Sequence, residues 1–461
     1  MNLHGIDIEV KNKPPLDEGF APLAKFAASF LSGADTPLAI ALERNSGGMY
    51  VYDTKIRSGE KYEEANRVYV ERMVKFLLWV VGAYKVYICG SKELADYIGS
   101  LYKEGGERAF DADLMGNRVY GQAFEVVYLP YDKKPAEVDS AKSIGRNLDG
   151  CRIGFDAGGS DRKVSAVIEG ESVYSEEVVW HPKTQLDPSY HYKEILSAFK
   201  TAASKMPRVD AIGISSAGIY VDNMTMIASL FLKVPKEDFD KYVKDIYIRA
   251  GKEIGDIPLT VANDGDVTAL AGAMSLNDTG ILGIAMGTSE AGGYVDKNGN
   301  ITGWLNELAF APCDLQNGAS LDEWSGDVGC GVKYFSQDAV IKLAPKVGIK
   351  LEQDLPPGEK LKIVQDKFAA GEVEIEKIYK TIGAYLGHTI ATYNLVYDIK
   401  HILLMGRVVS GRGGDIILET AKNTMLSEYA DTCGHINLQL PDEKSRRVGQ
   451  SVAAASLPKI I

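Results

Sequence analysis

Apolar positions alternate with polar ones in some stretches of the chain and recur every three to four residues in others. The switches between the two periods mark out strands and helices. Residues 1–36 offer one short apolar helix, Pro22 to Leu31. Leu38-Ala-Ile-Ala-Leu42 and Met49-Tyr-Val-Tyr-Asp53 flank Asn45-Ser-Gly47-Gly48, turn chemistry that predicts a hairpin. A long amphipathic helix from about Tyr62 to Gly82 follows, then strand Val86 to Cys89, helix Lys92 to Tyr102 and a strand near Phe124 to Leu129. Lys133 to Asn147 is polar, contains Pro135 and reads as a linker.

A second unit opens with strand Arg152 to Phe155, a Gly-Gly turn and a returning strand, Lys163 to Ile168. Strand Glu176 to Trp180, helix Tyr192 to Lys205, strand Ala211 to Ser215, a long helix Lys236 to Ile254 and strand Pro258 to Ala262 complete it. A third unit begins with hairpin Ile281 to Val295 and runs through a loop-rich region to about Lys333. Helices Gln337 to Leu343, Glu359 to Phe368 and Glu374 to Asn394 come next. Strand His401 to Met405, helix Asp415 to Leu426, strand Ile436 to Leu440 and a closing helix from about Arg447 end the chain.

An internal repeat is visible. Leu38-Ala-Ile-Ala-Leu-Glu-Arg-Asn-Ser-Gly-Gly-Met reads beside Leu282-Gly-Ile-Ala-Met-Gly-Thr-Ser-Glu-Ala-Gly-Gly-Tyr with one gap, and a long helix, a strand and a helix follow both. The first unit is therefore expected to be a degenerate copy of the third, with Gly287-Thr288 replaced by Glu43-Arg44. The predicted partition is 1–147, 148–279 and 280–461, all α/β.

A length of 461 residues suits two or three lobes. The formal net charge of −12 argues against a surface built to bind nucleic acid or anionic lipid. Five cysteines without a CxxC spacing fit free thiols in a reducing compartment. The opening residues lack a basic-then-apolar signal pattern, and the most apolar run, Met73 to Ala83, contains Lys75 and is too short to span a bilayer. A soluble cytoplasmic protein without nucleic-acid or membrane partners is expected. The six histidines lie singly and read as packing or surface residues.

Four loops at strand ends carry the candidate chemistry. Asp156-Ala-Gly158-Gly159-Ser160 puts an acid and paired glycines where backbone N–H groups can approach a phosphate and the carboxylate can hold hydrated magnesium. Asn263-Asp264 ends a strand and starts a small-residue helix; its carboxylate can take a proton from a hydroxyl, or simply cap the helix. Gly287-Thr288-Ser289-Glu-Ala-Gly292-Gly293 is a hairpin turn of small hydroxyls and glycine, able to wrap a phosphate. Gly406-Arg-Val-Val-Ser410-Gly411-Arg-Gly413-Gly414-Asp415 places glycines between a strand and a helix and suits a nucleoside. No Gly-x-x-x-x-Gly-Lys-Ser/Thr loop occurs, which closes the phosphate-loop NTPase route.

From Cys151 onward these loops, in this order, resemble the ROK family of bacterial sugar kinases and regulators, in the actin, heat-shock-protein and sugar-kinase superfamily. Asp156-Ala-Gly-Gly-Ser looks like the family's first phosphate loop, Ile212 to Asp222 with Gly218 like its sugar-side strand and turn, and Asn263-Asp264 like the pair whose Asp is the catalytic base. Gly287-Thr288 looks like the second phosphate loop and Gly406 to Asp415 like the adenosine loop. The resemblance implies ribonuclease-H-like lobes, two of them enclosing a nucleotide cleft and the N-terminal one degenerate. It also implies ATP and Mg²⁺ as cofactors and phosphorylation of a sugar hydroxyl. Asp264 is the implied base, Asn263, Glu307 and Gly218 face the sugar, and Asp156 orients Mg²⁺ through water. Gly158, Gly159, Ser160, Gly287, Thr288, Gly406 and Ser410 are the implied contacts to nucleotide and phosphate.

Departures from the family pattern cluster at the sugar loop. The family's Gly-Glu-x-Gly-His stands here as Asn306-Glu307-Leu-Ala309-Phe310, so the histidine is lost. Its zinc cluster is reduced to Asp327-Val-Gly329-Cys330-Gly-Val332, with Val332 in place of a sugar-binding Glu and Cys313 the only other nearby thiol. No structural zinc is expected. Arg407 replaces a glycine of the adenosine loop, Asp161 adds an acid to the first loop, and Trp304 and Trp324 flank the sugar loop. These losses keep open a non-catalytic sugar- or nucleotide-binding relative, a DNA-binding regulator, and an ATPase acting on another partner. The N-terminal lobe is expected to stand in for a second subunit, giving a monomer with an internal pseudo-dimer, or else a homodimer.

Overall fold

The structure, a computed structural model, describes residues 1–138, 144–440 and 445–460. In chain order its principal elements are β1 (Thr36–Glu43), β2 (Met49–Ile56), α1 (Glu63–Val80), β3 (Lys85–Cys89), β4 (Glu125–Leu129), β5 (Cys151–Ala157), β6 (Asp161–Ile168), β7 (Glu171–Val179), α2 (Pro188–Ala203), β8 (Ala211–Ser216), β9 (Leu259–Asn263), α3 (Asp264–Leu276), β10 (Ile281–Met286), β11 (Glu290–Val295), α4 (Glu376–Tyr393), β12 (His401–Met405), α5 (Arg412–Glu428), β13 (Asn437–Gln439) and α6 (Ser445–Ala455). The chain divides into two compact units. The first is Met1–Ser140, Ile284–Gly292 and Trp304–Leu440; the second is Ala141–Gly283, Gly293–Gly303 and Pro441–Ile461. The N-terminal 140 residues thus share a unit with most of the expected third lobe.

The second unit is built on a five-stranded sheet of order β9-β8-β5-β6-β7. Its β5, β8 and β9 are parallel, and β6 runs antiparallel to both β5 and β7. This is the ribonuclease-H-like arrangement that the resemblance implies. Side chains alternate across a strand. Phe155 of β5 meets Phe199 of α2 at 5.4 Å between ring centroids, while its neighbour Gly154 faces α6. A Cβ on Gly154 would lie 1.9 Å from the Ser451 carbonyl oxygen, and one on Gly213 of β8 1.6 Å from that of Ala454. Glycine is required at both positions because the helix backbone lies directly on the sheet. Asp187 caps α2, its Oδ1 accepting from Ser189 N at 2.8 Å.

The first unit holds two four-stranded sheets of matching order, β2-β1-β3-β4 and β11-β10-β12-β13. In the first sheet β1 pairs antiparallel with β3, whereas the corresponding inner pairing of the second unit, β5 with β8, is parallel. The N-terminal segment therefore lacks the ribonuclease-H-like strand directions expected of a degenerate copy. A matching hairpin is a local property; the direction in which the next strand enters is set by the long connection through α1.

From Tyr69 to Val80 every residue of α1 is buried, including Glu71, Arg72 and Lys75. Buried charges must be paired, and the partners come from two distant stretches. Asp327 Oδ2 lies 3.1 Å from both Lys75 Nζ and Arg72 Nη1, and its Oδ1 is 2.7 Å from Arg108 Nη1. Asp111 Oδ2 lies 3.1 Å from Lys75 Nζ, and Asp111 Oδ1 accepts from Trp79 Nε1 at 2.8 Å. Glu71 pairs with Arg72 and, at 2.7 Å, with Arg108 Nε. Three cations thus face three carboxylates. Burial alone would raise the Asp327 carboxyl, but Arg72, Lys75 and Arg108 hold it well below the usual range. The stretch that resembles the family's zinc cluster is therefore bound up in ion pairs with the N-terminal segment. Cys330 is buried with its Sγ 3.5 Å from Asp327 Oδ2, and Cys313 Sγ lies 3.2 Å from the Gly329 carbonyl oxygen.

Two expectations change. The long helix over Lys236 to Ile254 is broken into Lys236–Asp238, a π-helical turn Phe239–Val243, and Ile246–Lys252. The Lys244 carbonyl accepts from Thr225 N at 2.8 Å, so it is drawn out of the helical ladder. Residues 139–143 of the expected linker lie outside the described residues. Before them Val138 bridges Met49, and after them Arg146 Nη2 donates to the Asp278 carbonyl at 2.5 Å. Among the described residues no helix is long and apolar enough to cross a membrane.

Candidate functional site

In the second unit the parallel strands β5, β8 and β9 end in register. Ser215 pairs with Asp156 on one side and Ala262 on the other, so Asp156, Ser215 and the Asn263-Asp264 junction line the carboxyl edge of one sheet. That edge is where open α/β sheets place their ligands. Ser215 Oγ donates to Asp156 Oδ1 at 3.0 Å, and no hydrogen bond to Asp156 Oδ2 is found among the described residues. Burial pushes the Asp156 carboxyl up to about 6; the Ser215 bond opposes the shift, and the nearby Asp264 charge adds to it. Burial likewise raises Asp264, against the Gly265 N–H and the attraction of Lys183. Two close carboxylates with an open oxygen and raised proton affinity suit a divalent cation held through water, which would supply the positive charge they lack.

The raised value has a consequence for stability. The folded Asp156 keeps a proton that the unfolded chain has already released between about pH 4 and 6, so stability falls as pH rises through that window. Asp156→Asn removes the penalty. The variant should be more stable than the parent at pH 8 by roughly 1–2 kcal/mol and show no gain at pH 4, as read from chemical denaturation at the two pH values.

Asn263 serves the scaffold. Its Oδ1 accepts from Gly265 N at 2.7 Å, capping α3, and its Nδ2 donates to the Gly218 carbonyl at 2.8 Å. Gly218 has φ +138°, and a Cβ there would lie 2.3 Å from the Ile227 carbonyl oxygen. These two residues, expected to face a sugar, hold Asp264 in place. The first glycine turn is clamped by buried Trp180, whose indole Nε1 donates to the Gly158 carbonyl at 2.7 Å and whose backbone N donates to that of Ser160 at 3.1 Å. Gly159 and Ser160 are exposed.

The first unit assembles the other loops. A Cβ on Gly406, where φ is +97°, would lie 2.3 Å from the Met286 carbonyl oxygen, so the strand ends before Gly287 and after Met405 lie side by side. Gly287 N donates to the Ser289 carbonyl at 2.9 Å, forming the turn, and Thr288 is exposed at its tip. Arg407 Nη2 lies 3.5 Å from Thr288 Oγ1, so the Gly406 loop puts a cation on the Gly287-Thr288 turn. Ser410 Oγ donates to the Arg407 carbonyl at 2.7 Å and accepts from Gln365 Nε2 at 3.2 Å. Glu290, in the same turn, points inward: it is buried, accepts from Tyr393 Oη at 3.0 Å, and is pushed up to about 8 by burial.

The N-terminal segment holds the Glu307 loop. The end of a helix leaves carbonyls without partners, and at the end of α1 the Val80 and Trp79 carbonyls accept from Asn306 N and Glu307 N, both at 3.0 Å. Asn306 has φ +52° and its Oδ1 accepts from Tyr397 Oη at 2.8 Å. Phe310, in the histidine position, packs between Trp79 at 4.4 Å and the exposed Trp324 at 4.7 Å. Trp304 instead packs on Tyr50 and Tyr397. Ser215 and Lys183 were not singled out by sequence reasoning. Ser215 had a signal in its place at a strand end, and Lys183 had none.

No protein-family model matches the chain, and no curated protein matches it significantly. Solved structures do. The ROK hexokinase from Thermus thermophilus superposes with a TM-score of 0.51 at 18% identity, covering 66% of this chain and 96% of the hexokinase. A ROK family transcriptional regulator, a homologue of the E. coli MLC protein, superposes with a TM-score of 0.52 at 16% identity, covering 67% of this chain and 78% of the regulator. The chain has the fold of the ROK proteins.

Proposed function

We propose that the chain is an ATP-dependent kinase that phosphorylates a hydroxyl of a sugar or sugar derivative. The observation that carries this reading is the placing of Asp156 and Asp264 at one sheet edge, near enough for the Asp264 charge to act on Asp156, beside the clamped Gly158-Gly159 turn. Phosphoryl transfer asks a protein for positioning and electrostatics more than for covalent chemistry. The turn offers backbone N–H groups to phosphate oxygens. Asp156 has an open oxygen for a hydrated cation; Mg²⁺ held there would neutralise phosphate charge. Asp264, fixed by Asn263 and Gly265, has the raised proton affinity of a general base and would accept the hydroxyl proton. In the other unit Gly287, Thr288, Arg407, Gly406 and Ser410 form the set suited to nucleotide. Glu307 beside Phe310 and the exposed Trp324 offers a carboxylate and an aromatic face for a sugar ring.

A panel of hexoses and N-acetylated amino sugars tests the reading. Sugar-dependent, Mg²⁺-dependent ADP formation from ATP is expected with at least one of them. A second reading, a sugar- or nucleotide-binding protein without transfer, is favoured by Phe310 in the histidine position. It predicts calorimetric binding of Mg-ATP with no turnover across the panel. Failure to bind Mg-ATP at all would remove both.

A further inference from the structure

Lys183 lies in a short 3-10 turn, Pro182–Thr184, that follows β7. Its Cε and Nζ both lie 2.9 Å from the point a Cβ on Gly159 would occupy, so the ammonium sits directly over the first glycine turn. The same charge attracts the Asp264 carboxylate. No carboxylate lies within ion-pair distance of Lys183 among the described residues, and the side chain is exposed. Its backbone is held on both sides. Trp180, just before it, is buried and tied to the Gly158 and Ser160 carbonyls. Pro182 is buried, with its carbonyl 2.9 Å from Nε2 of the buried His191. Thr184 Oγ1 donates to the His181 carbonyl at 3.0 Å. A cation carried on so constrained a turn, over the exposed Gly159 and near enough to attract the Asp264 carboxylate, is placed to meet an anion.

We infer that Lys183 binds the phosphoryl group under transfer, between the Gly158-Gly159 turn and Asp264. The inference rests on the kinase reading above and adds a residue to it. As the acceptor oxygen attacks, a new O–P bond forms, the bond from phosphorus to the leaving diphosphate oxygen breaks, and the hydroxyl proton passes to Asp264. The equatorial oxygens stay anionic throughout. Lys183 donates hydrogen bonds to one of them as a compact point charge and keeps its own proton.

Lys183→Met and Lys183→Arg test this in the full chain. The Met variant should lower kcat about 10²–10³-fold, the scale of losing one preorganised charge donor, with sugar KM within about twofold. The Arg variant should recover about tenfold of the loss. In an active parent, a Met variant with kcat within about threefold overturns the role of Lys183 and leaves the kinase reading standing. If the parent turns over none of the sugars, the kinase reading is what fails, and calorimetry with Mg²⁺ and inorganic tripolyphosphate then decides the lysine. Binding weakened about tenfold in the Met variant upholds a phosphate-binding Lys183, and unchanged binding overturns it.

Discussion

Asp264→Asn is expected to lower sugar phosphorylation by about 10²–10⁴-fold while Mg-ATP binding stays within about twofold of the parent. The substitution is nearly isosteric. An asparagine oxygen can still accept from Gly265 N, which lies 3.0 Å from Asp264 Oδ1, and Asn263 continues to cap the helix from 2.7 Å. What is lost is the ability to accept a proton. Initial rates at saturating ATP, together with a calorimetric titration of Mg-ATP, separate the two effects. Unchanged phosphorylation in this variant would dispose of Asp264 as the base, and lost nucleotide binding would mean that the residue is structural.

Asp327→Ala should destabilise the first unit by about 3–5 kcal/mol, the cost of breaking a buried ion pair from one side. The carboxylate lies within 3.1 Å of Arg72, Lys75 and Arg108 side-chain nitrogens. Removing it leaves three buried cations against Glu71 and Asp111. Asp96→Ala is the control. Asp96 pairs with Lys92 at 2.7 Å, but both side chains are about two-thirds exposed, so its loss should cost under about 1 kcal/mol. Urea midpoints at neutral pH compare the two. Because the Asp327 carboxyl is held below its ordinary value, its contribution is present above the usual carboxylate range and is lost as pH falls. The gap between the two variants should therefore narrow toward pH 3. Equal midpoints for the two at neutral pH would show that the cluster does not hold the unit together.

The N-terminal segment holds the Glu307 loop in place. Its α1 receives the Asn306 and Glu307 N–H groups on the helix-end carbonyls and supplies Arg72 and Lys75 to Asp327. The stretch that differs most from the family pattern is thus the stretch that another part of the same unit holds in place.

Period and turn chemistry were enough to read most elements, because those signals are local. Arg152 to Phe155, Lys163 to Ile168 and Ala211 to Ser215 all fall within observed strands; the Asp264, Gly287 and Gly406 loops follow strand ends, and Asp156 stands one residue inside the end of its strand. The broken helix after Lys236 was not legible, since its interruption comes from Thr225, a residue in another strand that takes the Lys244 carbonyl. The antiparallel entry of β3 was equally hidden: a hairpin carries no record of the direction in which a later strand will pair with it. Asn263 and Gly218 show the same limit at the site, because a sequence names polar groups and does not say which are already spent on each other. By itself, then, the sequence determined which side chains stand at the strand ends, through spacing and glycine placement. Tertiary structure alone decided that Lys183 overhangs a turn more than twenty residues earlier in the chain and that Asp327 balances three cations. Both depend on contacts between distant segments, whose energies come from burial and charge and leave no periodic trace in the chain.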